Sequence, residues 1–507
     1  MGRLAVAVVV ALWAVPFSFM VNRIVPEPYM DEVFHVPQAQ EYCRFNFRSW
    51  NSMITTPPGL YCLSLGHIAT IFPGFWWTGA VSSYSELCSA AVLRSINCAL
   101  AVICAVLFYD IVVHTRPGLN QGRATLFAVV LALYPLHWFF TYLYYTDIAS
   151  TTAVMAMYLS CLKRSYWLSA LLGGIAITIR QTNVIWMLFV ACLGTIDYVG
   201  LLKGNGPRPS IGSTSSVNKN EELANVKNAS VSSNLRKRRK GNFTYAAAGS
   251  CLMYGNSSQA PGSGFLDEVR TIICRLWYLK FEILISFLLY LIVFLTFVAF
   301  VLWNGGIVLG AKDAHVVSPH LMQILYFGLV SAAAMGSTHF SLGQVLAIYE
   351  FFSKRKLSSF LVLFLGLISV HFFSIAHPYL LADNRHYPFY IWRKIIQVHW
   401  LMKYLLVPFY VYSWFSIFNV LGKSQKTICI LLYFFACAAV LIPTPLIEFR
   451  YYTIPFYFLV FQSPIGDNKS WYIMGLQYVV VNLFTIWMFL FQPFHWDHEP
   501  GIQRFMW

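Results

Sequence analysis

The sequence predicts an all-α polytopic membrane protein: a bundle of about 12–13 transmembrane helices with one large loop after the first. Three observations predict it. Of 507 residues, 58% are apolar and only 11% are charged, where a soluble chain carries about a quarter charged. The apolar residues gather into runs of about 20, the length that crosses a bilayer as a helix. The cations gather into short patches between those runs, on one side of the membrane once the runs are counted off. With a mean hydropathy of +0.60 there is too little polar side chain to coat a water-facing surface, which excludes an ordinary soluble enzyme. The net charge of +15 is no argument for nucleic acid, because it sits in those patches. The eleven cysteines are scattered with no CxxC or zinc spacing and read as small apolar residues in helices.

The elements follow in order. Arg3 and LAVAVVVALWAVPF open an uncleaved first span with its N-terminus in the cytosol, since no A-x-A site follows. Residues 23–88 are polar at first and then run TTPPGLYCLSLGHIATIFPGFWW, interrupted by Pro57, Pro58, Gly59, Pro73 and Gly74. A helix in or on the interface suits that piece at least as well as a full span. Keeping all of 23–88 on the non-cytosolic side gives spans near 89–113, 124–142, 148–162, 166–180 and 184–202. It then puts Arg116, Arg123, Lys163 and Arg164 in the cytosol. These residues, 1–202, form an N-terminal membrane module.

Segment 203–278 is Ser/Asn/Gly-rich and carries Arg236-Lys237-Arg238-Arg239-Lys240, so it reads as a disordered cytosolic loop. Its sequons at Asn228, Asn242 and Asn256, and another at Asn468, are then unused, the charge argument outweighing them. Residues 279–507 form a C-terminal module with spans near 280–303, 321–337, 357–376, 399–420, 427–444, 451–463 and 472–491. Its lumenal loops are 304–320, 377–398 and 445–451. The short span at 451–463 leaves the count at twelve or thirteen, and thirteen puts the C-terminus in the lumen.

The remaining charges concentrate on the lumenal side: Asp31, Glu32 and His35; Asp147; Arg180 beside Gln181; Lys312, Asp313 and His315; Asp383, Asn384, Arg385 and His386; Glu448 and Arg450. Ionisable groups at membrane depth are costly and mark sites by default. Asp31 and His35 share a helical face. A carboxylate at the membrane edge serves as general base toward a sugar hydroxyl, or else as an acidic first turn of a helix. Arg385 is placed to clamp a phosphate in bidentate fashion with His386 assisting, or else to close a salt-bridged turn. Glu448 and Arg450 repeat the theme, and Arg180 has the alternative of neutralising a carboxylate.

Three function classes fit such a chain. A membrane enzyme using a lipid-phosphate-linked donor needs a lumenal carboxylate, cations and aromatic rings, all present. A transporter wants mid-helix charges and internal repeats, which the sequence lacks. A non-catalytic membrane protein regulating a channel leaves the one-sided charges unexplained. Replacing Asp31 separates the first class from the third.

YMDEVFHVPQAQEYC, ITTPPGLY, RQTNVIW, LLADNRHYPFYIWR, EFRYYTIPF and IQRFMW closely resemble the eukaryotic dolichyl-phosphate-glucose-dependent α-1,2-glucosyltransferases of endoplasmic-reticulum N-glycosylation. The likeness runs from residue 29 to 507 with a variable gap at 203–275. It implies a GT-C type bundle whose first lumenal loop carries the catalytic acid. It implies transfer of a third, terminal glucose from dolichyl-phosphate-glucose to a dolichyl-diphosphate-linked oligosaccharide bearing two. The reaction would be inverting and metal-independent, so no cofactor is expected. By the same resemblance Asp31 matches the first-loop acid, with Glu32 able to exchange roles with it, and Asp147 matches a second lumenal acid. The charge-based phosphate candidates are Arg385, His386 and Arg450.

Overall fold

The computed structural model describes residues 1–79, 81–201, 265–310, 319–444, 446–464, 466–497 and 499–507. The expected spans fall on helices, with 124–142 divided between two. Among the described residues, seven helices are long and apolar enough to cross a membrane: Gly2–Ile24, Ala90–Thr115, Asn183–Gly200, Lys280–Asn304, Lys356–Phe373, Met402–Leu421 and Asn468–Phe491. Four shorter apolar helices join them, Gln121–Ala132, Tyr166–Ile179, Met322–Ala334 and Thr427–Leu441. Thr146–Leu162 and Thr453–Gln462 complete the set.

The span expected at 124–142 is broken. Pro135 has no N–H to give and starts a separate helix, Pro135–Phe140. Thr453–Gln462 has 10 residues, about 15 Å at 1.5 Å per residue, which is half a bilayer core. Every residue of it is buried. Its rings pack all round: Tyr457 on Phe108 at 4.5 Å, Phe456 stacked on Tyr134 at 4.2 Å, Phe458 on Trp186 at 5.1 Å. A helix apolar on every side belongs at the centre of a bundle.

The first loop is a folded layer. Glu32–Cys43 and Gly59–Trp77 pack together around Val36, Tyr42, Leu60, Tyr61 and Ile68. Gly59 lets this layer close on the bundle, since a Cβ there would lie 2.5 Å from the Thr178 carbonyl oxygen. A Cys43–Cys88 disulfide ties the end of Glu32–Cys43 to the approach of Ala90–Thr115. This corrects the reading of the cysteines for that pair: wide spacing hid two residues that the fold brings together.

The loop boundary is corrected as well. Residues 265–278, expected to be disordered, form an amphipathic helix, Phe265–Tyr278, with no buried residue. Leu266, Ile273 and Trp277 are exposed along it, a helical spacing that the polar composition of the longer segment masked. The Arg236–Lys240 block, Asn228, Asn242, Asn256, and Lys312, Asp313 and His315 lie outside the described residues.

Candidate active site

Pro26 and Pro28 keep the chain extended after the first helix. Met30 then turns it through φ 56°, a left-handed conformation that a side chain resists, and Asp31 and Glu32 beyond it take different partners. Glu32 is fully buried against the equally buried Arg94. It accepts from Arg94 Nε at 2.8 Å and Nη2 at 2.6 Å, from Tyr144 N–H at 2.5 Å and from Tyr29 N–H at 3.0 Å. Arg94 spends its other N–H groups on Asn22 Oδ1 and the carbonyls of Val25 and Glu27. A satisfied, water-free pair of this kind fixes geometry and leaves Glu32 no lone pair for a substrate.

Asp31 is the accessible partner. Its N–H donates to the Tyr145 hydroxyl at 3.1 Å. Its carboxylate accepts from Arg450 Nη1 at 2.8 Å, with the side chain 40% exposed. Arg450 also donates to Glu448 through Nε, and its guanidinium lies 5.8 Å from the Tyr145 ring and 5.7 Å from the Tyr451 ring. Burial works to raise the Asp31 carboxyl; the charge and hydrogen bond of Arg450, helped by His35 and His386, outweigh it and hold the group below the usual carboxylate range. Burial holds the His35 imidazole low against the pull of Asp31, and its Nδ1 lies 2.7 Å from the Tyr61 hydroxyl.

Arg180 and Asp147 adjoin this pair. Asp147 begins the buried helix Thr146–Leu162 and is 5% exposed, and Arg180 reaches it at 3.0 and 3.4 Å. Arg180 lies 5.8 Å from the Tyr451 ring, so two guanidiniums flank one aromatic ring. Asp147, Thr151, Arg180, Trp186, Arg450 and Tyr451 line one cavity. Gln181, expected to bind substrate, instead donates to the carbonyls of Thr55 and Ile307 at 2.7 and 3.1 Å, tying three loops.

The 383–386 group forms a closed turn. Asp383 accepts from Arg385 Nε at 2.9 Å and Nη2 at 2.8 Å, and Arg385 Nη1 donates to Gln503 Oε1 at 3.0 Å. The Arg385 guanidinium lies 4.6 Å from the Trp496 ring, and Asn384 Oδ1 accepts from Trp496 Nε1 at 2.9 Å. Burial opposes ionisation of Asp383, but the Arg385 hydrogen bonds prevail and hold it below its usual range. All three guanidinium nitrogens of Arg385 are engaged, which favours the salt-bridged alternative for this residue.

Sequence reasoning missed Arg94, Tyr145, Tyr451 and the role of 503–507. Arg94 sits within an apolar run, where a lone cation demands a buried carboxylate, and that was the available signal for it.

The fold and these groups define a polytopic α-helical membrane protein with an acid–arginine site. The DIE2/ALG10 family matches residues 25–461, and the chain belongs to that family. It is 52% identical to the Arabidopsis thaliana protein named Dol-P-Glc:Glc(2)Man(9)GlcNAc(2)-PP-Dol alpha-1,2-glucosyltransferase, covering 100% of both chains. It is 33% identical to the Mus musculus protein of that name, over 96% of this chain and 94% of the relative. A Homo sapiens protein of that name is 32% identical with the same coverage. No solved structure matches. The chain is accordingly a glycosyltransferase of the glucosyltransferase kind.

Proposed function

We propose that the chain transfers a terminal α-1,2-linked glucose from dolichyl-phosphate-glucose to the Glc(2)Man(9)GlcNAc(2) oligosaccharide on dolichyl diphosphate, for N-glycosylation. The enzyme works in the endoplasmic reticulum membrane with its site in the lumen. The observation that carries this reading is the Asp31–Arg450 contact at 2.8 Å, made at the edge of a cavity that Arg450 and Arg180 both line. The Cys43–Cys88 disulfide supports an oxidising, lumenal location for the first loop.

Asp31 is the base. Among the paired acids of the site it is the most exposed, at 40% against 21% for Glu448 and for Asp383 and 5% for Asp147. It takes the proton of the acceptor 2-hydroxyl as that oxygen attacks glucose C1. The C1–O bond to phosphate breaks, and dolichyl phosphate leaves with the electron pair. One in-line displacement on a β-linked donor gives an α-linked product, so the reaction inverts. Arg180 and Arg450 are the phosphate ligands that this geometry favours. Fixed guanidiniums receive the growing charge without reorganising. No metal is required: each acid of the site already faces an arginine, which a dication would have to displace. The test is glucose transfer by purified protein with and without a chelator. An unchanged rate is expected; a rate abolished by chelator and restored by a divalent ion would refute the metal-free reaction.

A further inference from the structure

The segment Gln503–Trp507 joins Tyr29, the end of the helix Asn468–Phe491 and the 385–387 turn. Arg504 N–H donates to the Tyr29 hydroxyl at 2.8 Å, and that hydroxyl donates to the Arg504 carbonyl at 2.9 Å. The Arg504 guanidinium holds the carbonyls of Phe489 and Leu490 at the end of the helix Asn468–Phe491. Met506 N–H donates to the Arg385 carbonyl at 2.9 Å, and its own carbonyl accepts from Tyr387 N–H at 3.1 Å. The Trp507 backbone oxygen accepts from His386 Nδ1 at 3.0 Å. That oxygen only accepts, so Nδ1 carries the proton and Nε2 is left for another partner.

Three polar atoms remain at this corner. Trp507 Nε1 and the Tyr387 hydroxyl are covered from water and bond nothing, an uncommon state for buried polar groups. Their rings meet edge to face at 5.0 Å. His386 Nε2 stands 3.8 Å from Asp383, beyond a hydrogen bond. The Trp507 ring also lies 6.1 Å from Phe449, the residue before Arg450, and Tyr29, which Arg504 holds, stands two residues before Asp31. The corner therefore adjoins the base. Aromatic rings carrying unbonded polar atoms match a pyranose, which offers apolar C–H faces and a rim of hydroxyls.

We propose that Trp507, Tyr387 and His386 form the subsite that reads the terminal sugar of the acceptor, with Gln503–Trp507 as the strap holding it beside Asp31. The inference rests on the glucosyltransferase reading. Its test is steady-state kinetics of the purified full chain with dolichyl-phosphate-glucose and the lipid-linked Glc(2)Man(9)GlcNAc(2) acceptor. Tyr387→Phe and Trp507→Phe should each raise the acceptor KM about tenfold, leaving the donor KM and thermal stability unchanged. An unmoved acceptor KM, or a donor KM rising in parallel as a merely structural lesion would produce, overturns the proposal. If Trp507→Phe does not fold, Tyr387→Phe decides, since it removes one hydroxyl only. A wild-type protein that transfers no glucose takes both readings down; an active wild type matched by both variants takes down this one alone.

Discussion

Asp31 Oδ2 and Arg450 Nη1 lie 2.8 Å apart although they are 419 positions apart in the sequence. The pair joins the folded first loop to the turn that opens the buried helix Thr453–Gln462. In the proposed reaction the base and the leaving phosphate thus share one cation. A phosphate that draws on Arg450 relieves Asp31 of counter-charge and makes it the stronger base.

This coupling gives a pH prediction. Burial pushes the Asp31 carboxyl up, Arg450 pulls it further down, and His35 and His386 add to the pull. The net shift is downward, so the base stays ionised into acid and the rate falls only as pH drops through the lowered value. Arg450→Gln removes the largest opposing charge while His35, His386 and the Tyr145 hydroxyl remain. The acid limb of the normalised kcat/KM profile should move to higher pH. An acid limb that stays in place would separate Asp31 from Arg450.

Glu32→Gln should act on the fold. Removing one partner of a buried pair strands the Arg94 charge, at a cost of about 3–5 kcal/mol. Thermal unfolding in detergent reads this as a large loss of stability. A Glu32→Gln protein of normal stability and no turnover would return the catalytic role to Glu32.

Arg180 and Arg385 should part company. Arg180→Ala should lower kcat/KM for the donor by about 100- to 1,000-fold, the usual effect of losing one fixed charge-stabilising donor. Arg385→Ala should loosen the 383–387 turn and raise the acceptor KM, with the donor KM unmoved. The reverse pattern in steady-state kinetics would put the phosphate at Arg385.

Much of this was legible in the sequence. Spans declare themselves by apolar length, and Asp31, Arg180 and Arg450 stood out because charge near lipid is costly. What the sequence withheld is pairing. Nothing local tells that Glu32 meets Arg94 while its neighbour Asp31 meets Arg450, because both partners come from distant elements. Arg385 shows the opposite limit. Its partner Asp383 is two residues away, yet the bond that completes its saturation comes from Gln503. The Cys43–Cys88 bond was hidden the same way, by a sequence separation of 45.

The central claim, that Asp31 is the base of glucosyl transfer, is tested most directly by the initial rate of Asp31→Asn. Purified protein would be given dolichyl-phosphate-glucose and the Glc(2)Man(9)GlcNAc(2) lipid-linked acceptor, with thermal unfolding measured alongside. Asparagine keeps the size and still accepts from Arg450 but takes no proton. Transfer should fall by about 100- to 10,000-fold in a protein that still folds. A folded Asp31→Asn enzyme with near-normal turnover would contradict the claim and move the base to Asp147.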